Sequence, residues 1–92
     1  MYYEGREVPH NYNEAIKWYT MAAYQSDIIA QRKLGLCYIE ADADYVKAYA
    51  WLTMAAEQGS NMSRKKRDQI SKEMTSEQIV SANELIKELK AR

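Results

Sequence analysis

The stretch Glu14–Ala23, EAIKWYTMAA, is written again almost unchanged at Lys47–Ala56, KAYAWLTMAA. Ala15, Trp18, Thr20, Met21, Ala22, Ala23 and Gln25 each recur as the same residue type 33 positions later. Seven matches in one register make an internal repeat, and a repeat of this length points to units that stack on one another. Both copies space their apolar residues at i, i+3, i+4 and i+7, the pattern of one helical face. In the first copy these are Ala15, Ile16, Trp18, Tyr19, Ala22 and Ala23; in the second they are Ala48, Trp51, Leu52, Ala55 and Ala56.

Helix boundaries are signposted around both copies. Asn11 with Glu14 forms a capping-box pattern, in which two side chains satisfy free backbone N–H groups at a helix start. Asp44 stands at the matching point before the second copy. Gly59 is placed to end that helix in a left-handed conformation. Between the copies, Ala30, Leu34, Cys37 and Tyr38 share one face of a helix expected over 27–39, with Asp27 as its cap. Gly35 lies in the middle of that helix, where it costs about 1 kcal/mol relative to Ala. Close approach of a neighbouring helix is the expected reason for it. Past Gly59, Asn61 is the expected cap of MSRKKRDQISKEM. Thr75-Ser76-Glu77-Gln78 then opens a last helix with the stripe Ile79, Ala82, Leu85, Ile86 and Leu89. The single proline, Pro9, precedes the first copy, and no useful stretch alternates with period two. The expected fold is all-α with short connections.

Composition narrows the function. A chain of 92 residues makes one small domain. It holds 13 Lys+Arg and 13 Asp+Glu, with acid in excess before residue 47 and base in excess after it. That asymmetry is too mild to call for nucleic acid. No apolar run approaches the roughly 20 residues of a membrane span, and the N-terminus lacks a signal-peptide pattern. A lone Cys37 rules out an intrachain disulfide framework.

The repeating unit is Ala30-Gln31-x-x-Leu34-Gly35-x-x-Tyr38, a loop, Asp44-x-x-Lys47-Ala48-x-x-Trp51, then Ala55-Ala56-Glu57-Gln58-Gly59. It resembles a Sel1-like repeat, the helix–turn–helix relative of the tetratricopeptide repeat. The family pattern is AQxxLGxxY, a loop of the type GxGVxxDxxKA, then WYxxAAxxG. The first copy matches it with Tyr2, Gly5, Val8, Asn11, Ala15, Trp18, Tyr19, Ala22 and Ala23. Glu7 stands in place of a loop glycine, Asn11 in place of the usual Asp, and the second loop is three residues shorter. Arg67-Asp68 and Met74–Gln78 resemble the helical pair that often closes such arrays. The resemblance implies a short α-solenoid: a single domain over 1–92, with a partial first repeat at 1–26 that lacks its leading helix, a second repeat at 27–60 and a closing pair at 61–92.

Stacking explains the repeated phrase physically. A two-helix unit cannot bury its own apolar face and packs on a copy of itself. Ala15, Ala22, Ala23, Leu34, Gly35, Tyr38, Ala48, Ala55, Ala56 and Gly59 are therefore expected at stacking and turn positions, with Trp18 and Trp51 filling space between helices. At the N-terminal end, a face with Ile16, Tyr19 and Trp18 is expected to lack a cover. Three covers are open to it: a fold-back of residues 1–11, a second copy of the chain, or a preceding repeat of a longer array; Tyr2, Tyr3 and Val8 are too few to replace a helix, so self-association ranks first for the isolated chain.

No catalytic constellation stands out. His10, the only histidine, lies in a polar loop; with one His and one Cys, a structural zinc site would have to draw on carboxylates. Cys37 reads as a buried, inert thiol. Glu40, Asp42 and Asp44 alternate like a calcium loop, but Tyr45 and Trp51 occupy positions that need Gly and a carboxylate. Arg64-Lys65-Lys66-Arg67 reads as a solvated helix face. Asn61-Met62-Ser63 matches a glycosylation sequon that helix capping explains as well. Arg32, Lys33 and Leu36 are the residues of the middle helix that the repeat pattern leaves free, a mixed basic and apolar strip on the side where helix-pair solenoids bind partners. The expected function is a non-catalytic protein–protein interaction module, an adaptor or regulatory scaffold, binding another protein or peptide without metal or cofactor. An immunity or inhibitor protein that sequesters a toxin has the same fold and is the alternative. A β-lactam or cell-wall-binding enzyme belongs to a cysteine-rich branch of the family, and one cysteine argues against it. The resemblance places the chain in a bacterial cytoplasm or periplasm.

Overall fold

The computed structural model describes residues 12–91. These form five helices: α1 Tyr12–Ala23, α2 Ile28–Asp42, α3 Tyr45–Glu57, α4 Asn61–Ser71 and α5 Ser76–Lys90. The expectations placed on Tyr2, Tyr3, Gly5, Glu7, Val8, Pro9, His10 and Asn11 lie outside the described residues.

Short polar side chains start the helices. The Asp27 carboxylate accepts from Ile29 N and Ala30 N at 3.0 and 3.1 Å. Asp44 accepts from Lys47 N at 3.1 Å. Thr75 and Gln78 form a reciprocal capping box, with Gln78 N donating to Thr75 Oγ1 and Thr75 N to Gln78 Oε1. At α4 the cap is Ser60, one residue before the expected Asn61: Ser60 Oγ accepts from Ser63 N at 3.2 Å and donates to Ser63 Oγ at 2.8 Å. Asn61 is instead the first helical residue, and Ser63 of the sequon is fully buried.

The 33-residue period extends to the turns. Asp27 N donates to Ala22 O and Ser26 N to Ala23 O; Ser60 N donates to Ala55 O and Gly59 N to Ala56 O. Each pair closes the helix C-terminus in a Schellman motif. Its left-handed residue is Gly59 in the second copy, with φ +110°, and Ser26 in the first, with φ +68°. Helix α2 runs to Asp42, past the expected end at 39, so Glu40 and Asp42 are helical and the connection to α3 is only Ala43–Asp44. Ala43 ends α2 at φ +50°, its N–H on Tyr38 O and Ile39 O. An L side chain in this region costs about 1–2 kcal/mol that glycine avoids. Ser26→Gly and Ala43→Gly are each expected to stabilise the chain by about 0.5–1 kcal/mol, after glycine's entropy in the unfolded state is set against that relief. Paired thermal melts check this, and lower melting temperatures for both would contradict it.

Helix α3 is the hub, with α2, α4 and α5 packed around it, while α1 packs on α2. Ala48, Ala50, Leu52 and Ala55 of α3 are fully buried. One core cluster joins Ala23, Ala30, Leu34, Ala50, Trp51, Ile86 and Leu89; a second joins Ala48, Leu52 and Ile70 under Tyr38, Ile39 and Met74. Gly35 sits where α2 meets α3, as its place in mid-helix predicted. A Cβ there would lie 2.7 Å from Leu52 Cγ and 3.3 Å from Ala48 O. Gln31, also fully buried, ties three segments: its Nε2 donates to Ala23 O at 3.1 Å, and its Oε1 accepts from Gln58 Nε2 at 2.7 Å. A buried amide so bonded avoids the desolvation penalty of an unpaired one.

Candidate functional site

Helix α2 buries Ala30, Gln31, Leu34 and Gly35, and its helical period turns residues 29, 32, 33, 36 and 40 to the opposite side. Ile29 is 56% exposed at the start of this strip. Arg32 is partly exposed, Lys33 exposed and Leu36 half-buried. The Lys33 ammonium lies 6.0 Å from the centre of the Tyr19 ring on α1, the outer limit of a cation–π contact. Glu40 closes the strip, accepting from Tyr12 Oη at 2.9 Å. Among the described residues, neither Arg32 nor Lys33 has a carboxylate within ion-pair distance. The three expected residues therefore do share one face, and Ile29 joins them. The repeat pattern hid Ile29 because it lies ahead of the Ala30-Gln31 motif.

Cys37 borders this strip and is half-buried rather than fully buried. Burial pushes its thiol up to about 11, the charge of Glu40 adds to the rise, and Lys33 opposes it. A thiol so raised holds little thiolate near neutral pH and is a poor nucleophile. At pH 8, iodoacetamide is expected to label Cys37 in the folded chain about a hundredfold more slowly than in the urea-unfolded chain. Equal rates, read by mass spectrometry, would contradict the raised value.

The two repeated tryptophans differ. Trp51 is 5% exposed, with the Tyr24 ring against its own at 5.5 Å between centres and 71° between planes. Trp18, expected to fill space between helices, is instead 59% exposed, and Met21 beside it is 52% exposed. Ile16 and Tyr19, expected on the same open face, are partly buried against the core. The helical period explains the split: Ile16 and Tyr19 lie on the side of Ala23, whereas Trp18 and Met21 lie on the far side.

A cleft of about 310 Å³ lies between the α1–α2 turn and α5, lined by Tyr24, Ser26, Gln31, Trp51, Leu89 and Lys90 among others. Its Lys90 ammonium pairs with Glu57 at 2.8 Å, and its Gln31 amide is bonded on both sides. On α4, Arg64 and Lys65 are exposed and Arg67 pairs with Asp68 at 3.1 Å, a solvated face. No group of His, Cys, Asp and Glu among the described residues is placed to hold a metal ion. No helix among them is long and apolar enough to cross a membrane.

Helix pairs that repeat their caps, turns and stacking residues at a fixed period define a short α-solenoid of the tetratricopeptide type. The chain belongs to the Sel1-repeat family: the Sel1 repeat pattern matches residues 1–27 and again residues 28–60. No curated protein and no solved structure matches the chain.

Proposed function

We propose that the chain is an adaptor or regulatory module that holds a partner protein or peptide against the outward face of α2, with Arg32, Lys33 and Leu36 as contact residues and Ile29 extending the strip. One observation supports this above the others: two cations with no carboxylate within ion-pair distance among the described residues stand between two aliphatic side chains on one helix. Such a strip offers a partner both apolar area and charge, and charge at an interface governs specificity and rate of encounter. Membership of a family built for stacking and interaction supports the same reading.

The test is a charge reversal, Arg32→Glu with Lys33→Glu. Both positions point away from the core, so the variant is expected to melt as the parent does. Capture of partners from a bacterial lysate, followed by titration of the captured partner, is expected to show at least about tenfold weaker binding to the variant. Equal binding by both chains would remove α2 as the contact surface.

A further inference from the structure

The cleft between the α1–α2 turn and α5 contains an indole donor that the fold leaves unpaired. Trp51 is 5% exposed and lines this cleft. A buried indole normally gives its N–H to a partner. Trp51 meets the edge of the Tyr24 ring, but its Nε1 donates to no acceptor among the described residues. Among those residues, the side-chain polar atom that is both sealed from solvent and without a partner is Thr53 Oγ1. The indole N–H is therefore not sealed in, and it opens on the space that Trp51 lines.

The rest of the lining has the same bias toward donors. It carries one charge, Lys90, and no carboxylate. An ammonium has three hydrogens to give, and Lys90 pairs with Glu57 at 2.8 Å, which leaves it able to take a second acceptor. Both side chains of that pair are about half exposed, so the pair is weak enough to share. Gln31 does not compete for a ligand, because its Oε1 accepts from Gln58 and its Nε2 donates to Ala23 O. The apolar part of the lining is aromatic and soft. The Tyr24 ring stands at 71° to the Trp51 plane, and Met54 and Leu89 complete the wall. Rings and a thioether favour an aromatic occupant.

We infer that this cleft binds a small arylalkyl carboxylate, with its ring against Tyr24, Met54 and Leu89 and its carboxylate on Trp51 Nε1–H and Lys90. A free acid and the carboxyl end of a peptide whose last residue is aromatic share this chemistry: a ring a short chain away from a terminal carboxylate. The cleft, about 310 Å³, lies at the small end of ligand sites, which suits one ring and its acid group. It involves the buried side of α2, through Gln31, and not the outward strip of Ile29, Arg32, Lys33 and Leu36. The inference therefore stands independently of the partner-binding role given to that strip.

The experiment titrates the full ¹⁵N-labelled chain with 3-phenylpropionate and follows the indole N–H signals by NMR. Trp18→Phe, a change at an exposed position, assigns which of the two signals belongs to Trp51. The expected result is a saturable shift of the Trp51 signal, with a dissociation constant of about millimolar or tighter, while the Trp18 signal stays in place. Affinity should fall about tenfold or more for the neutral 3-phenylpropanamide, for propionate without the ring, and for the parent ligand on Lys90→Met. Glu57→Gln, which frees the Lys90 ammonium, should tighten binding about two- to threefold. Lys90 and Glu57 are half exposed, so both variants are expected to fold, and the backbone amide spectrum checks this. A short peptide ending in phenylalanine separates the two sources. Tighter binding than the free acid names a protein's carboxyl end, weaker binding names a free acid, and either supports the shared chemistry. No shift of the Trp51 signal overturns the inference. So does equal binding of the amide or of propionate, equal binding to Lys90→Met, or a shift of both indole signals alike.

Discussion

Trp51→Ala is expected to remove about 3–5 kcal/mol of stability, the usual loss for a truncated core tryptophan. For a chain of this size, that is a large share of the roughly 5–10 kcal/mol that holds it folded. The indole belongs to a core cluster to which α1, α2, α3 and α5 all contribute, so its removal leaves a cavity that no single element can close. Trp18→Ala, at the same place in the repeat, is expected to cost no more than about 1 kcal/mol, as for an exposed site. Urea denaturation of the two variants beside the parent makes the comparison. Trp51→Phe provides a graded version if the alanine variant fails to fold. Equal losses would mean that Trp18 is covered in solution as Trp51 is.

That contrast shows what a sequence repeat does and does not carry. The phrase at residues 14–23 and 47–56 made both segments helical and put small residues at the contacts, and the caps Asp27, Asp44 and Thr75 were legible as chemistry. Helix formation and capping are local, so the local sequence holds them. Burial belongs to the neighbours. Nothing within the first phrase says that Trp18 is 59% exposed, because its context matches that of Trp51. Local competition also decided the misplaced cap: Ser60 and Asn61 are both good capping residues. Ser60 won because the Schellman turn through Gly59 ends there, with Ser60 in the extended conformation a cap needs. The end of α2 was hidden for a related reason. Ala43 adopts a left-handed conformation that its residue type does not advertise.

The candidate site was legible by subtraction. Once the repeat motif accounted for Ala30, Gln31, Leu34, Gly35 and Tyr38, the positions left on α2 were those that face away from α3. Periodicity alone therefore placed Arg32, Lys33 and Leu36 on one side. Side-chain partners were not legible. The distance from Lys33 to Tyr19 and the bond from Tyr12 to Glu40 join α2 to α1, and no spacing within α2 encodes them. Gln31 was visible as a motif residue, but its bonds to Ala23 and Gln58 depend on the two turns that the repeat brings together.

Gly35→Leu is expected to destabilise the chain by about 1–3 kcal/mol, the cost of overfilling a well-packed contact. Helix propensity alone predicts the opposite sign, since leucine is the better helix former by nearly 1 kcal/mol. Geometry decides between them. Even the first carbon of a side chain would lie 2.7 Å from Leu52 Cγ and 3.0 Å from Leu52 Cδ2, well inside van der Waals contact. Leu52 is fully buried, and the next obstacle, Ala48 O, is backbone. Neither can yield without moving α2 off α3. Leu52→Ala by itself is expected to cost about 2–5 kcal/mol through the cavity it leaves. In the double variant the new leucine enters that cavity, so the combined loss is expected to fall short of the sum by at least about 1 kcal/mol, the coupling of residues in direct contact. Chemical denaturation of the four chains closes the cycle. Additive losses would place the cost of Gly35→Leu somewhere other than the α2–α3 contact. A melt at or above that of the parent would show that the glycine is not held there by close packing.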